Sequence, residues 1–417
     1  MAEWTTAEKY QKYVNPTALA LLRLGGFDRV EWEGQGSLLR DTDGNEYIDC
    51  LGGYGVFALG HAHEEVVQAV TEQMRRLPLS SKTFLNKPLA DLAEKLAHLT
   101  PGSLQYSFFC NSGAEAVEGA IKFARMATSR PKIVSALGSY HGKTLGALSA
   151  SGRDLYKMPF APLLPGFDFV PFGDTEALKS AISDDTAAVL LEPIQGENGV
   201  LIPPDGYLAA ARACCDRHGA LLILDEVQTG LGRTGKWFAC QHEDIAPDLM
   251  TLAKALGGGV MPTGAIVGTP AVWEKVFQKN PYIHTSTFGG GEAACVAALK
   301  TLEIIERENL TAQAAVRGKQ LLTGLQNAVQ NFPDLLTEAR GKGLMIGVEF
   351  RDGDIGKLAI GALVRNGVVA AYTLNNPQVM RFEPPLIITE AQVETVNTAF
   401  HQALTEVRDL LHDLGVA

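Results

Sequence analysis

Two side chains that could do chemistry follow apolar segments of the chain. Asp225 comes directly after the run Leu221–Leu224, and open parallel sheets bind their ligands at the carboxyl ends of the strands. Lys254 lies in an apolar segment that continues into three glycines at 257–259. Burial lowers the pKa of a lysine and makes its amine a nucleophile toward a carbonyl carbon. Taken singly, Asp225 could equally cap a helix, and Lys254 could lie at the surface.

Two further segments could bind a phosphate group and a planar ring. An apolar strand that ends at Cys110 turns through Ser112, Gly113 and Ala114 into a predicted helix, and the N–H groups at a helix start bind anions. Tyr140, in the run Ser-Tyr-His-Gly-Lys, could stack on an aromatic ring. Each segment alone is typical of an ordinary loop. Together with a carboxylate and a buried lysine, they are the groups that a pyridoxal phosphate site needs.

The elements that must position these groups alternate between two patterns. From about residue 60 to 295, apolar runs of four to six residues are separated by segments with helical spacing. This alternation is typical of a mainly parallel β-sheet that is covered by helices on both faces, so we expect an α/β fold. The predicted strands are Ser107–Cys110, Lys132–Ser135, Ala187–Leu191 and Ala220–Leu224.

The two ends of the chain have a different texture. The first fifty residues predict short strands separated by turns, including a hairpin in which Asp41–Gly44 precedes Glu46–Asp49. Beyond Gly291 a long helix leads into strands and a final amphipathic helix. We expect an N-terminal segment over 1–59 that is part of a small domain, a large domain over 60–295, and a smaller α+β domain over 296–417.

The composition excludes several classes of function. The chain has 417 residues with 47 acidic and 36 basic side chains, and its net charge of −11 disfavours nucleic acid and anionic membrane surfaces as partners. No apolar run is long enough to span a bilayer, and the first thirteen residues lack the apolar stretch of a signal peptide. The six cysteines show no CxxC spacing, which favours neither disulfides nor a metal site. We therefore expect a soluble, cytoplasmic protein that acts through local sites.

Six motifs along the chain resemble, in order, those of class III aminotransferases, and the resemblance covers nearly the whole length. They read NSGAEA, LEPIQGE, LDEVQTG, LAKALGGG, STFGG and RFEPP, and begin at Asn111, Leu191, Leu224, Leu252, Ser286 and Arg381. Within the family, five segments are most similar to the bacterial branch that uses putrescine, a diamine. These segments are 50–53, 107–113, 159–166, 225–236 and 373–376.

The resemblance implies a fold, a cofactor and a set of residue roles. The fold would be type I of the pyridoxal-phosphate-dependent transferases, with a seven-stranded sheet in its large domain, and the cofactor would be pyridoxal 5'-phosphate. Lys254 would hold the cofactor through a Schiff base and move a proton, and Asp225 would keep the pyridine nitrogen protonated. The other implied cofactor-binding residues are Ser112, Gly113, Ala114, Tyr140, His141, Val227, Gln228 and, from the neighbouring subunit of a homodimer, Thr287. Such dimers could also pair into tetramers.

The resemblance also bears on the substrates. Arg381 would bind the carboxylate of 2-oxoglutarate, with Glu197 as its partner when no acid is bound. Family members that use α-amino acids have an arginine where this chain has Lys143, and an ammonium group lacks the planar fork that grips a carboxylate through two hydrogen bonds. A donor without an α-carboxylate, such as putrescine or cadaverine, is therefore expected. Tyr54 favours the other branch, because a tyrosine at that place helps to bind the ornithine carboxylate.

The chain departs from the family pattern at two places. Gly291-Glu292 stands where the family usually has Asn-Pro, next to the implied phosphate contact of the partner subunit. Asn198 stands where the family usually has glycine, beside Glu197.

Several other activities would use the same cofactor residues. An ornithine, acetylornithine or 4-aminobutyrate aminotransferase, or an aminomutase, would differ mainly in the substrate pocket. A dinucleotide-binding oxidoreductase is disfavoured, because no GxGxxG motif follows the first strand of a βαβ unit. A non-catalytic protein would have no need for Lys254 and Asp225 together.

Overall fold

The computed structural model describes residues 5–415, which form three β-sheets covered by helices. The strands are β1 Glu31–Gln35, β2 Leu38–Asp41, β3 Glu46–Asp49, β4 Tyr106–Cys110, β5 Lys132–Ala136, β6 Phe167–Val170, β7 Thr186–Leu191, β8 Leu221–Asp225, β9 Leu249–Leu252, β10 Gly264–Gly268, β11 Leu336–Lys342, β12 Met345–Phe350, β13 Val368–Val369, β14 Ala371–Tyr372 and β15 Val379–Phe382.

The helical segments lie between these strands. They are α1 Thr6–Tyr13, α2 Pro16–Leu24, the short turn α3 Gly52–Gly55, α4 Glu64–Arg76, α5 Lys87–Leu99, α6 Gly113–Thr128, α7 Leu145–Ala150, α8 Asp154–Lys157, α9 Thr175–Ala181, α10 Tyr207–His218, α11 Pro270–Phe277, α12 Glu292–Arg307, α13 Leu310–Asn331, α14 Gly353–Arg365 and α15 Glu390–Asp413. Single 3₁₀ turns occur at Met158–Phe160, Ala239–His242 and Lys254–Gly257. No helix in the described range is both long and apolar enough to cross a membrane.

The largest sheet has seven strands in the order β4-β10-β9-β8-β7-β5-β6. Strand β10 runs antiparallel to both of its neighbours, while the contacts among β9, β8, β7, β5 and β6 are parallel. Every residue of β7 is buried, because helices cover both faces of the sheet. The expected mainly parallel α/β fold is confirmed, and all four predicted strands belong to this sheet.

The expectation of strands throughout the first fifty residues is wrong for the beginning of the described chain. Residues 6–24 form α1 and α2. Thr5 and Glu8 cap the first turn of α1 reciprocally, and the Asn15 side chain accepts hydrogen bonds from the first N–H groups of α2. These capping pairs are local helix signals that outweigh the strand-like composition. The predicted hairpin is confirmed, because β2 and β3 pair antiparallel across Gly44.

Two smaller sheets, each with four strands, complete the fold. Strand β13 pairs in parallel with β3, so residues far apart in sequence share the sheet β1-β2-β3-β13. The strands β11, β12, β15 and β14 form an antiparallel sheet. The pairing of β13 with β3 joins the N-terminal segment to the C-terminal region. The domain boundaries at 59 and 295 stay a prediction.

Candidate active site

The residues predicted to bind the cofactor line one cleft at the carboxyl edge of the large sheet. Strands β4, β5, β7, β8 and β9 lead into this edge, and the cleft encloses about 490 Å³. The predicted residues that line it are Ser112, Gly113, Ala114, Tyr140, His141, Lys143, Asp225, Val227, Gln228 and Lys254. The fold thus brings together four segments that are well separated in sequence.

Asp225 is held by hydrogen bonds to both carboxylate oxygens. His141 Nδ1 lies 2.7 Å from Oδ2, and the Thr251 hydroxyl donates to Oδ1 over 2.9 Å. The Val227 N–H also reaches Oδ1, at 3.2 Å. The His141 side chain has no exposed surface. These hydrogen bonds fix the carboxylate at the end of β8. A carboxylate that pairs with the ring nitrogen of a cofactor must be held in this way.

Lys254 is only partly exposed and lies in a strained part of the backbone. Its φ is 45°, a left-handed conformation that non-glycine residues rarely adopt outside functional sites. Burial lowers the pKa of its amine below the usual value, although the nearby carboxylates of Glu383 and Glu197 work in the opposite direction. A lowered pKa leaves more of the amine uncharged and able to attack a carbonyl carbon.

The start of α6 forms the phosphate end of the cleft. Ser112 caps this 16-residue helix by accepting a hydrogen bond from the Glu115 N–H, and the first N–H groups of a helix have no partner within it. Gly113 is required here because a Cβ would lie 2.9 Å from Val227 Cγ1. The arrangement combines N–H donors, a hydroxyl and the positive end of the helix dipole, which together suit a phosphate.

Two residues that the sequence analysis did not name also shape the cleft. Glu192 accepts hydrogen bonds from the Tyr140 and Gly196 N–H groups at 2.9 and 3.3 Å, and burial raises its pKa to about 7. It comes directly after β7, just as Asp225 ends β8, so the same reasoning about strand ends could have found it. Thr251 lies within β9 and has no signal in the sequence, because its role depends on its tertiary contact with Asp225.

A second cavity of about 700 Å³ opens beside Lys254 and is called the substrate chamber below. Its lining includes Tyr54, Tyr140, Glu197 and Lys254, together with Tyr10, Leu21 and Leu22 of α1 and α2. The N-terminal helices thus wall the site, which the expectation of strands over 6–24 could not show.

Arg381 and Glu197 form a buried ion pair at this chamber. Arg381 Nη1 donates to Glu197 Oε1 over 2.7 Å, and Arg381 has no exposed surface. The Tyr54 ring centroid lies 5.4 Å from Cζ of the guanidinium. Burial works to raise the pKa of Glu197, but Arg381 and Lys254 hold it below its usual value. Arg381 Nη2 is buried without a hydrogen-bond partner among the described residues, so the guanidinium retains a free donor.

Gln228 and Lys143 have specific contacts beside the cleft. Gln228 Nε2 donates to the Tyr54 carbonyl over 3.2 Å and to Glu383 Oε2 over 3.0 Å. Lys143 is exposed, and its ammonium lies 4.5 Å from the centroid of the Tyr156 ring, a distance at which a cation is attracted to the ring face.

Thr287 is the one predicted cofactor residue that lies away from this cleft. It is exposed and does not line the cavity within its own chain.

Glu292, at the departure from the family pattern, begins α12 and accepts a hydrogen bond from the Ser80 N–H over 2.8 Å. Asn198 donates to the Gln195 side chain over 2.7 Å, so both unusual residues have defined contacts.

The family model of class III aminotransferases matches residues 27–404. This chain belongs to the class III aminotransferase family. The fold is type I of the pyridoxal-phosphate-dependent enzymes, and the cofactor is pyridoxal phosphate. The family, the fold and the cofactor expected from the sequence are confirmed.

Three solved structures show the range of relatives that this class III aminotransferase resembles. Ornithine aminotransferase from Toxoplasma gondii is 32% identical with a TM-score of 0.87, covering 98% of this chain and 99% of its own. Acetylornithine aminotransferase from Elizabethkingia anophelis is 33% identical with a TM-score of 0.79, covering 91% and 94%. An (S)-enantioselective omega-transaminase from Thermomicrobium roseum is 33% identical with a TM-score of 0.88, covering 97% and 100%. These relatives act on different amines, so the likeness establishes an aminotransferase without selecting its donor.

The cleft of this aminotransferase fits pyridoxal phosphate in the chemistry of its lining. A buried amine, a fixed carboxylate, an anion-binding helix start and an aromatic side chain surround one space. Gly113 keeps the floor of that space free for a ligand, since a side chain there would collide with Val227.

Proposed function

We propose that this aminotransferase transfers the terminal amino group of a diamine, putrescine or cadaverine, to 2-oxoglutarate. The observation that carries the proposal is the combination of a buried Arg381–Glu197 pair, whose Glu197 lines the chamber, with Lys143, whose ammonium lies over the Tyr156 ring. The first feature suits an acceptor with two carboxylates. The second leaves the mouth of the cleft without the planar fork that an α-carboxylate needs.

The cofactor residues have separate tasks in this proposal. Pyridoxal phosphate, when bound, supplies an electron-poor ring that stabilises negative charge on the substrate carbon. The Nζ atom of Lys254 holds the cofactor and later carries the proton of the substrate carbon. Asp225 keeps the ring nitrogen protonated, because His141 and Thr251 fix its carboxylate as a hydrogen-bonded anion. Ser112 and the start of α6 bind the phosphate, and Tyr140 and Val227 enclose the ring.

The two substrates use one chamber in turn. While the amine donor reacts, Glu197 neutralises Arg381, so the guanidinium presents no unbalanced positive charge to a cationic amine. When the acid acceptor enters, its far carboxylate takes the place of Glu197 on Arg381, whose Nη2 has no hydrogen-bond partner within residues 5–415. An ion pair that exchanges partners in this way lets one pocket accept substrates of opposite charge.

A homodimer completes the proposed site. Thr287 is exposed, and so are Phe288 and Tyr282 of the same segment, by 65% and 79%. Phe84 and Leu85, exposed by 86% and 104%, belong to a loop that is tied to the same segment through the Asn86 side chain and the Gly290 carbonyl. An apolar surface of this kind is typical of a subunit interface. A partner seated there would bring its own Thr287 toward the phosphate end.

An ornithine, acetylornithine or 4-aminobutyrate aminotransferase is the second candidate. Tyr54 favours it, because its side chain lines the chamber and its ring lies 5.4 Å from Arg381 Cζ, where it could help to bind a substrate carboxylate. The likeness to ornithine and acetylornithine aminotransferases supports the same candidate.

Isotope transfer tests the proposed function. The holoenzyme is incubated with putrescine labelled with ¹⁵N at both nitrogens and with unlabelled 2-oxoglutarate, and glutamate is analysed by mass spectrometry. We expect glutamate carrying one ¹⁵N and a cyclic imine, formed when the free amine of the product closes on its aldehyde and water leaves. Lys254→Ala is the matched inactive control. Label that reaches glutamate from ornithine but not from putrescine or cadaverine would favour the second candidate.

A further inference from the structure

A buried cluster of four charged side chains lies behind the substrate chamber. Arg381 lies between Glu197, at 2.7 Å, and Glu383, whose Oε2 is 3.3 Å from Arg381 Nε. Arg233 approaches Glu383 from the other side, with Nε 3.8 Å from Oε1. The side chains of Arg381 and Glu383 are fully buried, and Arg233 is 3% exposed. Charges placed so far from water interact strongly, because water cannot screen them.

The two carboxylates of this charge cluster differ in their freedom to move. Glu197 lines the substrate chamber, so its carboxylate has open space beside it, and besides Arg381 it is held by one hydrogen bond, from the Leu374 N–H to Oε2 over 2.9 Å. Glu383 is enclosed by the turn α3: a Cβ on Gly52 would lie 2.0 Å from the Glu383 carbonyl oxygen, and one on Gly55 would lie 2.8 Å from Oε1. Its N–H also donates to the Cys50 carbonyl over 2.6 Å. Glu383 therefore stays in place when Glu197 moves.

The formal charges of the cluster balance only because Glu383 is present. Two arginines and two glutamates sum to zero while Glu197 is paired with Arg381. Without the Glu383 carboxylate, the wall of the chamber next to Lys254 would carry one net positive charge. Such a charge repels an incoming ammonium group and attracts a dianion.

We propose that Glu383 is a specificity-determining residue of this site, whose fixed carboxylate balances the two buried arginines so that cationic amines can enter the chamber. It acts through Arg381 and also orients Gln228, which donates to it over 3.0 Å. The inference rests on the proposed function, in which Arg381 binds the acid substrate and a diamine is the donor. It extends that function by naming the group that sets the charge preference of the chamber.

Equilibrium binding of two ligands that cannot react separates this charge effect from damage to the fold. Holoenzyme with Glu383→Gln is titrated by calorimetry with 1,4-bis(dimethylamino)butane, a dication without a transferable amine, and with glutarate, a dianion without a carbonyl group. We expect the dissociation constant of the dication to rise roughly tenfold, the effect of one charge across a partly screened distance. Glutarate should bind as tightly as to the wild type, or more tightly. Equal weakening of both ligands, or no change in either, would overturn the proposal.

Two further variants keep the result interpretable. Glu349→Gln removes a carboxylate that pairs with Arg340 over 2.5 Å outside the cluster, and should leave both constants unchanged. Glu383→Asp keeps the negative charge but shortens the side chain, so the ratio of the two constants should stay within about twofold of the wild type. This second variant decides the case if Glu383→Gln does not fold: an altered ratio in Glu383→Asp contradicts the charge argument. A wild type that binds the dication but transfers no nitrogen from putrescine would refute the proposed donor and leave the role of Glu383 standing.

Discussion

Arg381 is the residue on which the exchange of substrates depends. It is fully buried and contacts carboxylates on two sides, and breaking one partner out of a buried pair is costly because a charge is left alone. The proposed exchange avoids this cost, since the carboxylate of the acid acceptor replaces Glu197 directly.

Replacing Arg381 by alanine should therefore affect the two half-reactions unequally. We expect the reaction with 2-oxoglutarate to lose roughly 100-fold in kcat/KM, the scale of a lost buried charge pair, and the reaction with the amine to lose much less. Both can be followed separately by the absorbance of the cofactor. Arg307→Ala is the control, because Arg307 pairs with Glu65 over 2.6 Å at the surface and lines neither cavity. Equal losses in the two half-reactions would mean that Arg381 is structural.

A functional residue can be predicted from the sequence when a local pattern, such as the end of an apolar strand, marks its position. Asp225 and Lys254 could be predicted because each follows an apolar strand, and Glu192 carries the same signal after β7. Glu383 and Thr251 could not, because their roles arise from contacts with residues distant in sequence. The orientation of Lys143 over Tyr156 is likewise a tertiary contact.

At the scale of elements, the turn α3 connects the N-terminal sheet to the chamber. Gly52, Gly53, Tyr54 and Gly55 all have φ between 58° and 94°, a left-handed course that brings Tyr54 to Arg381 and packs against Glu383. Gly52 and Gly55 must be glycine for two reasons. Their φ angles are positive, and a Cβ would lie 2.0 Å from the Glu383 carbonyl oxygen or 2.8 Å from Glu383 Oε1.

Gly52→Ala tests the role of α3, and Gly44→Ala is its control, because Gly44 shares the positive φ of Gly52 but not its close contacts. A Cβ at Gly52 would lie 2.0 Å from a backbone oxygen, whereas Gly44 also has a positive φ, of 86°, but nothing within 4 Å. We expect Gly52→Ala to destabilise the protein by about 3 kcal/mol or more and Gly44→Ala by about 1 kcal/mol. Thermal unfolding of the two variants measures the difference. A similar loss of Tm in both would show that α3 relaxes without consequence.

The N-terminal helices show why composition alone misassigned an element. The sequence predicts short strands over the first fifty residues, but the capping contacts of Thr5 and Asn15 start two helices within residues 6–24. Their apolar side chains then find a surface in the substrate chamber. The capping residues are local signals, so these two helices are predictable from the sequence when the caps are considered.

At the scale of the whole molecule, the parallel sheet could be predicted in outline because its buried strands read as continuous apolar runs. The antiparallel direction of β10 and the pairing of β13 with β3 depend on how the chain returns, which no local pattern encodes. The proposed pairing of subunits through the exposed surface around Thr287 is likewise a property of the whole molecule.

Mixing two inactive variants tests the shared site. Lys254→Ala lacks the amine of its own site, and Thr287→Ala lacks the phosphate contact that it would supply to its partner. When the two are refolded together at low cofactor concentration, each mixed dimer should contain one intact site, giving about a quarter of the wild-type activity for random pairing. Activity no greater than the sum of the separate variants would mean that Thr287 acts within its own chain or not at all.

The most direct measurement of the donor preference is single-turnover absorbance of the purified pyridoxal form. The enzyme is mixed separately with putrescine, cadaverine, ornithine, N-acetylornithine and 4-aminobutyrate, and the conversion of the cofactor to its pyridoxamine form is timed. The cation–ring contact of Lys143 with Tyr156 at the cleft and the pairing of Glu197 with Arg381 at the chamber lead us to expect the fastest conversion with the two diamines. Faster conversion with ornithine or N-acetylornithine would contradict the diamine proposal and make Tyr54 the residue that identifies the substrate.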